Sequence, residues 1–191
     1  MRRLITATVC LATMVLSPKV MALDEKSGCN DYDVFVLRHL EKANDGTRDP
    51  SLNSIGKKNA KTLAALPIIK EASHSFYTPY KRTYETLEFI DTEKSVYDPM
   101  QTEKLVRKIK DQHCGETVLV VGHSNTVPAI IKALGGSFDI RYAGQKLSSD
   151  PVIMLNEKDY GSVFRVTFHN ERIHQQLYHI NSSSEQTRKK R

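Results

Sequence analysis

The stretch Asp33-Val34-Phe35-Val36-Leu37-Arg38-His39 constrains this chain most. Asp33 to Leu37 is mostly apolar, β-branched or aromatic, the composition of a short buried strand. The run ends without a spacer in a cation and an imidazole. A second apolar run, Thr117 to Val121, ends in Gly122-His123-Ser124-Asn125. Two buried strands that each deliver an imidazole at the C-terminal end place chemistry on a rigid support, where open α/β sheets gather their ligands.

The formal charge of +6 suggests a nucleic-acid binder until it is located. Arg2, Arg3 and Lys19 near the N-terminus supply half of it. Arg188 to Arg191 against Glu185 supply the other half. The body between is neutral in sum, so nucleic acid is not an expected partner. Residues 1–22 have the plan of a secretory signal peptide: a positive start, an apolar run from Leu4 to Leu16, and Val20-Met21-Ala22 as the cleavage site. The run is short for a membrane span. The expectation is therefore export to a periplasm or beyond, without stable membrane insertion after processing; a retained anchor is the alternative. Residues 23–180 then form one domain, and the Ser-rich basic tail 181–191 a solvated, disordered end. Cys29 and Cys114 remain after processing. In an oxidising compartment they suggest one disulfide, with two isolated thiols as the alternative.

Along the chain, a polar loop runs to Asp49-Pro50. A helical pattern follows from Ile55, with Leu63 and Leu66 apolar and Pro67 at its end. Ser75 to Thr78 is a strand, and a helical stretch starts at Arg82. Val96-Tyr97 is a short strand. Asp98-Pro99-Met100-Gln101 has the residues of a helix start, with Asp98 as cap and Gln101 at the capping-box position. Pro128 to Leu134 is a short helix stopped by Gly135-Gly136. From Pro151 the pattern alternates: Phe164, Val166 and Phe168 share a face, and Asn170-Glu171 turns the chain into a partner strand, Arg172 to Tyr178. These elements predict an α/β single-domain three-layer sandwich: a mostly parallel mixed sheet, helices on both faces, and a C-terminal edge hairpin.

Arg38-His39, the element Leu52-x-x-x-Gly56, Thr78-Pro79-Tyr80-Lys81-Arg82-Thr83 with Thr86, and Gly122-His123-Ser124-Asn125 stand in this order, each beside a strand or helix end. Together they resemble the histidine phosphatase superfamily, the phosphoglycerate-mutase-like group, and in particular its small exported bacterial members. The resemblance spans about Asp33 to Gly136. It implies that His39 is a nucleophile forming a phosphohistidine, that His123 donates to a phosphate oxygen and is better protonated, and that Arg38, Lys42, Arg82, Ser124 and Asn125 bind phosphate. The residue chemistry agrees, because phosphoryl transfer spreads negative charge that fixed cations and donors must meet. Two arginine forks suit phosphate.

The family pattern is not met throughout. Leu40 replaces the usual glycine and adds bulk beside the pocket; Lys42 stands where acid-phosphatase members have arginine; Ser124 stands where they have an acid. Asp98 and Glu41 are the candidate proton donors. The reading is a phosphoric monoester hydrolase needing neither cofactor nor metal, acting on a phosphorylated small molecule or a phosphoprotein. A phosphate-binding module without turnover, a phosphomutase and a metallohydrolase are the alternatives, the last opposed by the lack of ligands at metal spacing.

Overall fold

The computed structural model describes residue 29 and residues 31–138, 140–142, 145–148 and 153–180; the expected signal segment 1–22 and tail 181–191 lie outside them. The strands are β1 (Asp31–Arg38), β2 (His74–Tyr77), β3 (Glu93–Val96), β4 (Thr117–Gly122), β5 (Ile140–Tyr142), β6 (Gln145–Ser148), β7 (Ser162–His169) and β8 (Arg172–His179). The helices are α1 (Ser54–Ala65), α2 (Pro67–Lys70), α3 (Lys81–Thr86), α4 (Thr102–Gln112) and α5 (Thr126–Ala133). Six strands form one sheet in the order β3-β2-β4-β1-β7-β8. The β1, β2, β3 and β4 pairings are parallel; β7 pairs antiparallel with β1, and β8 with β7. This is the mixed sheet with an edge hairpin that the sequence predicts. The small β5–β6 ribbon was not anticipated.

Alternation along β1 feeds two cores. Val34 and Val36 pack with Leu105, Ile109, Ile130 and Ile131 of α4 and α5 on one face. Phe35 and Leu37 pack with Ala60, Leu63, Ile69 and Leu87 on the other. At the β1–β7 pair the Arg165 guanidinium grips Asp33, which also accepts from the Thr167 hydroxyl at 2.9 Å. The hairpin turn holds Asn170 and Glu171 at φ 47° and 63°, the left-handed pair that matches strand twist in a two-residue loop.

Several boundaries differ from expectation. α4 begins at Thr102, four residues beyond Asp98. The Asp98 carboxylate accepts from the Met100 amide (2.9 Å) and the Gln101 side chain (2.8 Å), while the Gln101 amide bonds the Asp98 carbonyl (2.9 Å). These bonds close a turn before the helix instead of capping it. Ile55 is 54% exposed; the buried face of α1 is Gly56, Asn59, Ala60 and Leu63. Pro67 ends α1 and sits at the first position of α2, where its missing amide costs nothing.

Cys29 and Cys114 are joined as a disulfide with a Cα–Cα separation of 5.4 Å. It lies where β1 and β4 begin, and the Gly115 amide donates to the Asp31 carbonyl there at 2.7 Å.

Candidate active site

Register alone brings the two imidazoles together. β1 and β4 are neighbours and parallel, with Arg38 opposite Gly122, so His39 and His123 leave the sheet side by side. The His39 amide donates to the Gly122 carbonyl at 3.0 Å, and the ring centroids are 5.5 Å apart. β2 lies on the other side of β4 with Tyr77 opposite Val121, which puts Thr78 at the same end. Its hydroxyl is 2.9 Å from His123 Nε2. Gly122 is required here: a Cβ would lie 2.5 Å from Thr126 Oγ1 and 2.9 Å from the Tyr97 hydroxyl. Thr126 Oγ1 accepts from the His123 amide at 2.7 Å, locking the strand-to-helix corner.

His39 is 3% exposed. Its Nδ1 is 2.9 Å from the Leu40 carbonyl. A carbonyl can only accept, so Nδ1 carries the proton and the lone pair of the neutral ring resides on Nε2. Burial, followed by the charges of Arg38 and Arg82 and by His123, pushes the pKa down to about 3, although the Leu40 bond opposes this. The ring is therefore neutral and nucleophilic near pH 7. Leu40, expected to add bulk beside the pocket, is not among the residues that line it. It is fully buried in the core with Ala60 and Leu63 of α1 and with Leu87, and its amide donates to Thr86 Oγ1 at 3.1 Å. Thr86 in turn donates to the Arg82 carbonyl at 2.7 Å, tying the loop after β1 to α3.

His123 also differs from expectation. Burial, then the charges of Arg82 and Arg38, bring its pKa down to about 4, so it is neutral, not protonated, near pH 7. The Thr78 hydroxyl holds the ring through Nε2 at 2.9 Å, and the ring lines the cavity. An arriving phosphoryl dianion favours protonation and moves this pKa back up.

The arginines flank the histidines. Arg38 donates from Nη1 to the carbonyls of Asn156 and Glu157, both at 3.0 Å, and its guanidinium lies 4.4 Å over the Tyr160 ring. Arg82 lies 4.4 Å over Tyr80 and reaches Asp49 at 3.4 Å. The Nε atoms of both are buried without a hydrogen-bond partner. Buried donors left unpaired beside a cavity call for an anionic acceptor. The cavity, about 460 Å³, is lined by Arg38, His39, Lys42, Arg82, His123, Ser124 and Asn125, together with Thr47, Arg48, Pro50, Tyr80, Pro99, Met100 and Thr126.

The structure does not bring either candidate acid to this cavity. Glu41 turns away and accepts from Asn59 Nδ2 at 2.9 and 3.1 Å. Asp98 is exposed, and the bonds from the Met100 amide and the Gln101 side chain hold its carboxyl below the usual carboxylate range. Among the described residues no carboxylate belongs to the cavity lining. Among the described residues no group of three His, Cys, Asp or Glu side chains is placed to hold a metal ion. Sequence reasoning missed Tyr160, Asp49 and the Asn156-Glu157 carbonyls. An aromatic flanked by Gly161 and an acid beside Pro50 carry no signal of their own; only tertiary contact assigns them.

No protein-family model matches the sequence, and no curated protein is similar to it. The fold has relatives among solved structures. The protein histidine phosphatase SixA in complex with tungstate is 17% identical with a TM-score of 0.55, over 77% of this chain and 96% of that one. A candidate phosphohistidine phosphatase SixA from Nakamurella multipartitia is 15% identical with a TM-score of 0.56, over 81% and 99%. A phosphoserine phosphatase from Entamoeba histolytica in complex with 3-phosphoglyceric acid is 13% identical with a TM-score of 0.52, over 80% and 98%. The chain has the fold of these phosphatases.

Proposed function

We propose that this chain, built on the histidine phosphatase fold, is a member of that superfamily and an exported, metal-independent phosphoric monoester hydrolase working through a phosphohistidine on His39. The observation that carries the reading is the pairing of a neutral, Nδ1-anchored imidazole with two buried arginines whose Nε donors lack partners. His39 Nε2 attacks phosphorus; the N–P bond forms as the bond to the departing oxygen or nitrogen breaks. Arg38, Arg82 and His123 meet the charge on the equatorial oxygens. Water then attacks the phosphohistidine, the N–P bond breaks, and orthophosphate leaves.

Among the described residues the cavity lining holds no carboxyl group, so a departing alkoxide meets no strong acid from them. This favours substrates whose leaving group is stable without a proton, such as aryl or acyl phosphates and phosphoramidates, phosphohistidine included. Export is supported by the pattern of residues 1–22 and by the Cys29–Cys114 disulfide, a bond that persists in oxidising compartments. No helix among the described residues is long and apolar enough to cross a membrane.

The test is rapid acid-free quenching during turnover of an aryl phosphate in the presence of a chelator, followed by mass spectrometry. An acid-labile phosphoryl group on His39 is expected. Acid-stable phosphoserine, or turnover lost to chelation and regained with a divalent ion, would overturn the proposal. Binding without turnover would favour the phosphate-binding module.

A further inference from the structure

The terminal hairpin ends the sheet on an open strand. β8 runs for eight residues, every one but Tyr178 exposed, and among the described residues no strand pairs with its outer side. Long open edges invite strand addition, and proteins blunt them with lysines, prolines, bulges or short strands. The opposite edge is blunted in this way: β3 has four residues and carries Glu93 and Lys94. Arg172–His179 contains no lysine, proline or acid, and its register with β7 is unbroken. Two apolar rows also stop at this strand. Val36, Phe164 and Leu177 stand in line across β1, β7 and β8, and so do Tyr32, Phe168 and Ile173. The inner four belong to one core or pack against it, whereas Leu177 and Ile173 are 62% and 40% exposed.

What can pair there depends on which backbone groups are free. The Ile180 amide points inward and donates to the Gly161 carbonyl at 2.8 Å. By alternation the backbone groups of Arg172, His174, Gln176 and Tyr178 face β7, and those of Ile173, Gln175, Leu177 and His179 face the open edge. A twofold antiparallel pairing must match outward residues with outward residues, and centring it on Gln175 or Gln176 uses most of the strand. Centred on Gln176, Ile173 meets His179 and Leu177 meets Gln175. Centred on Gln175, Ile173 of each copy meets Leu177 of the other, and both apolar rows run on through the second copy. Arg172 then faces Tyr178, His174 faces Gln176, and the turn carboxylate Glu171 comes to the His179 end, so no charge opposes its like. We propose that β8 is a homodimerisation edge, at which two copies of this chain pair antiparallel about Gln175 and join two six-stranded sheets into one. Strand direction reverses across the join, so the two cavities lie at opposite ends of the joined sheet and neither copy covers the other's. A single strand pairing is small for a specific interface, so the dimer is weak and reversible.

Sedimentation equilibrium of the disulfide-bonded chain tests this, together with amide hydrogen exchange at low and high protein concentration. A monomer–dimer equilibrium with a dissociation constant of about 10–100 µM is expected. Exchange at Ile173, Gln175 and Leu177 should be fast in dilute solution and slow in concentrated solution, while the amides of β3 are unaffected. Leu177→Lys places a charge on the exposed row and should weaken the dimer by at least about tenfold. Leu177→Pro removes an outward amide that β7 does not use and should abolish the dimer. Val96→Lys on β3 should leave association unchanged. A chain that stays monomeric at every concentration overturns the proposal, as does slow exchange along β8 at high dilution, which would mean that another part of the chain covers the edge. A dimer that survives Leu177→Lys, or that is lost in Val96→Lys, overturns it equally, because association would then use another surface.

Discussion

At His39, burial and neighbouring charge act in the same direction. The ring is 3% exposed, and a proton on Nε2 would add a third positive charge beside Arg38 and Arg82. His39→Ala should therefore abolish phosphoenzyme formation while vanadate still binds, because the arginines and His123 remain. His123→Ala should keep the phosphoenzyme but form it about a hundredfold to a thousandfold more slowly, since it removes a donor and not the attacking atom; single-turnover kinetics on an aryl phosphate separate the two. The same shifts make stability depend on pH. Both histidines are held below the ordinary value of about 6.5, at about 3 and about 4. Above pH 6.5 neither the folded nor the unfolded form carries these protons. As pH falls toward 4 and then 3, the unfolded chain takes up protons that the folded chain refuses, so folding loses stability across that window. The urea midpoint should fall between pH 6.5 and 4, and fall less steeply in His39→Gln.

At the scale of elements, the position of His39, the proposed nucleophile, depends on how closely α1 approaches the loop after β1. A Cβ on Gly56 would lie 2.2 Å from the Glu41 carbonyl oxygen, which is backbone and cannot swing away. That carbonyl accepts from the Asn53 amide at 2.9 Å, and Asn53 Oδ1 caps the helix by accepting from the Gly56 amide at 2.8 Å. Leu52, 4% exposed, buries the same junction, and its amide donates to Glu85 of α3 at 2.6 Å. The spacing Leu52-x-x-x-Gly56 is thus a joint between α1 and the loop that carries His39. Gly56→Ala should cost about 1–3 kcal/mol of stability. It should also lower kcat/KM, because relief of the clash moves the backbone two residues from His39. Denaturation and kinetics on the same preparation check both effects; unchanged activity would show that α1 yields instead of the loop.

Across the whole molecule, the sheet separates stability from chemistry. The Cys29–Cys114 bond joins the start of β1 to the connection entering β4, and the histidines emerge from the far ends of the same two strands. The closed loop spans 85 residues, so in the chain-entropy treatment the bond stabilises by about 4.5 kcal/mol. The variant with both cysteines changed to serine should lose stability of that order in urea unfolding, while retaining kcat on an aryl phosphate under native conditions. A loss of kcat matching the loss of stability would mean that the strand ends are held by the bond itself and not by the β1–β4 ladder.

How much of this was legible in the sequence follows from the range of each signal. An apolar run with Arg38-His39 or Gly122-His123 joined directly to it places those residues at a strand end by covalent continuity, whatever the packing. The hairpin around Asn170-Glu171 is equally local, and so is the spacing that marked Arg82 and Gly56. Side-chain direction is not local. Glu41 and Asp98 sit close in sequence to His39 and to the cavity-lining Pro99, yet Asn59 and the turn amides draw them away. Leu40, expected to add bulk beside the pocket, is taken into the core with Ala60 and Leu63 of α1 and Leu87. Tyr160, 121 residues from His39 along the chain, comes within 6.0 Å of its ring. The charge state of His123 follows from its burial between two arginines, which no spacing encodes. Sequence alone determined which elements exist and which residues stand at their ends, because hydrophobic period and covalent neighbours act over a few residues. Tertiary structure decided which side chains share the cavity and which are charged there, because burial and electrostatic fields depend on groups that the chain brings together only by folding.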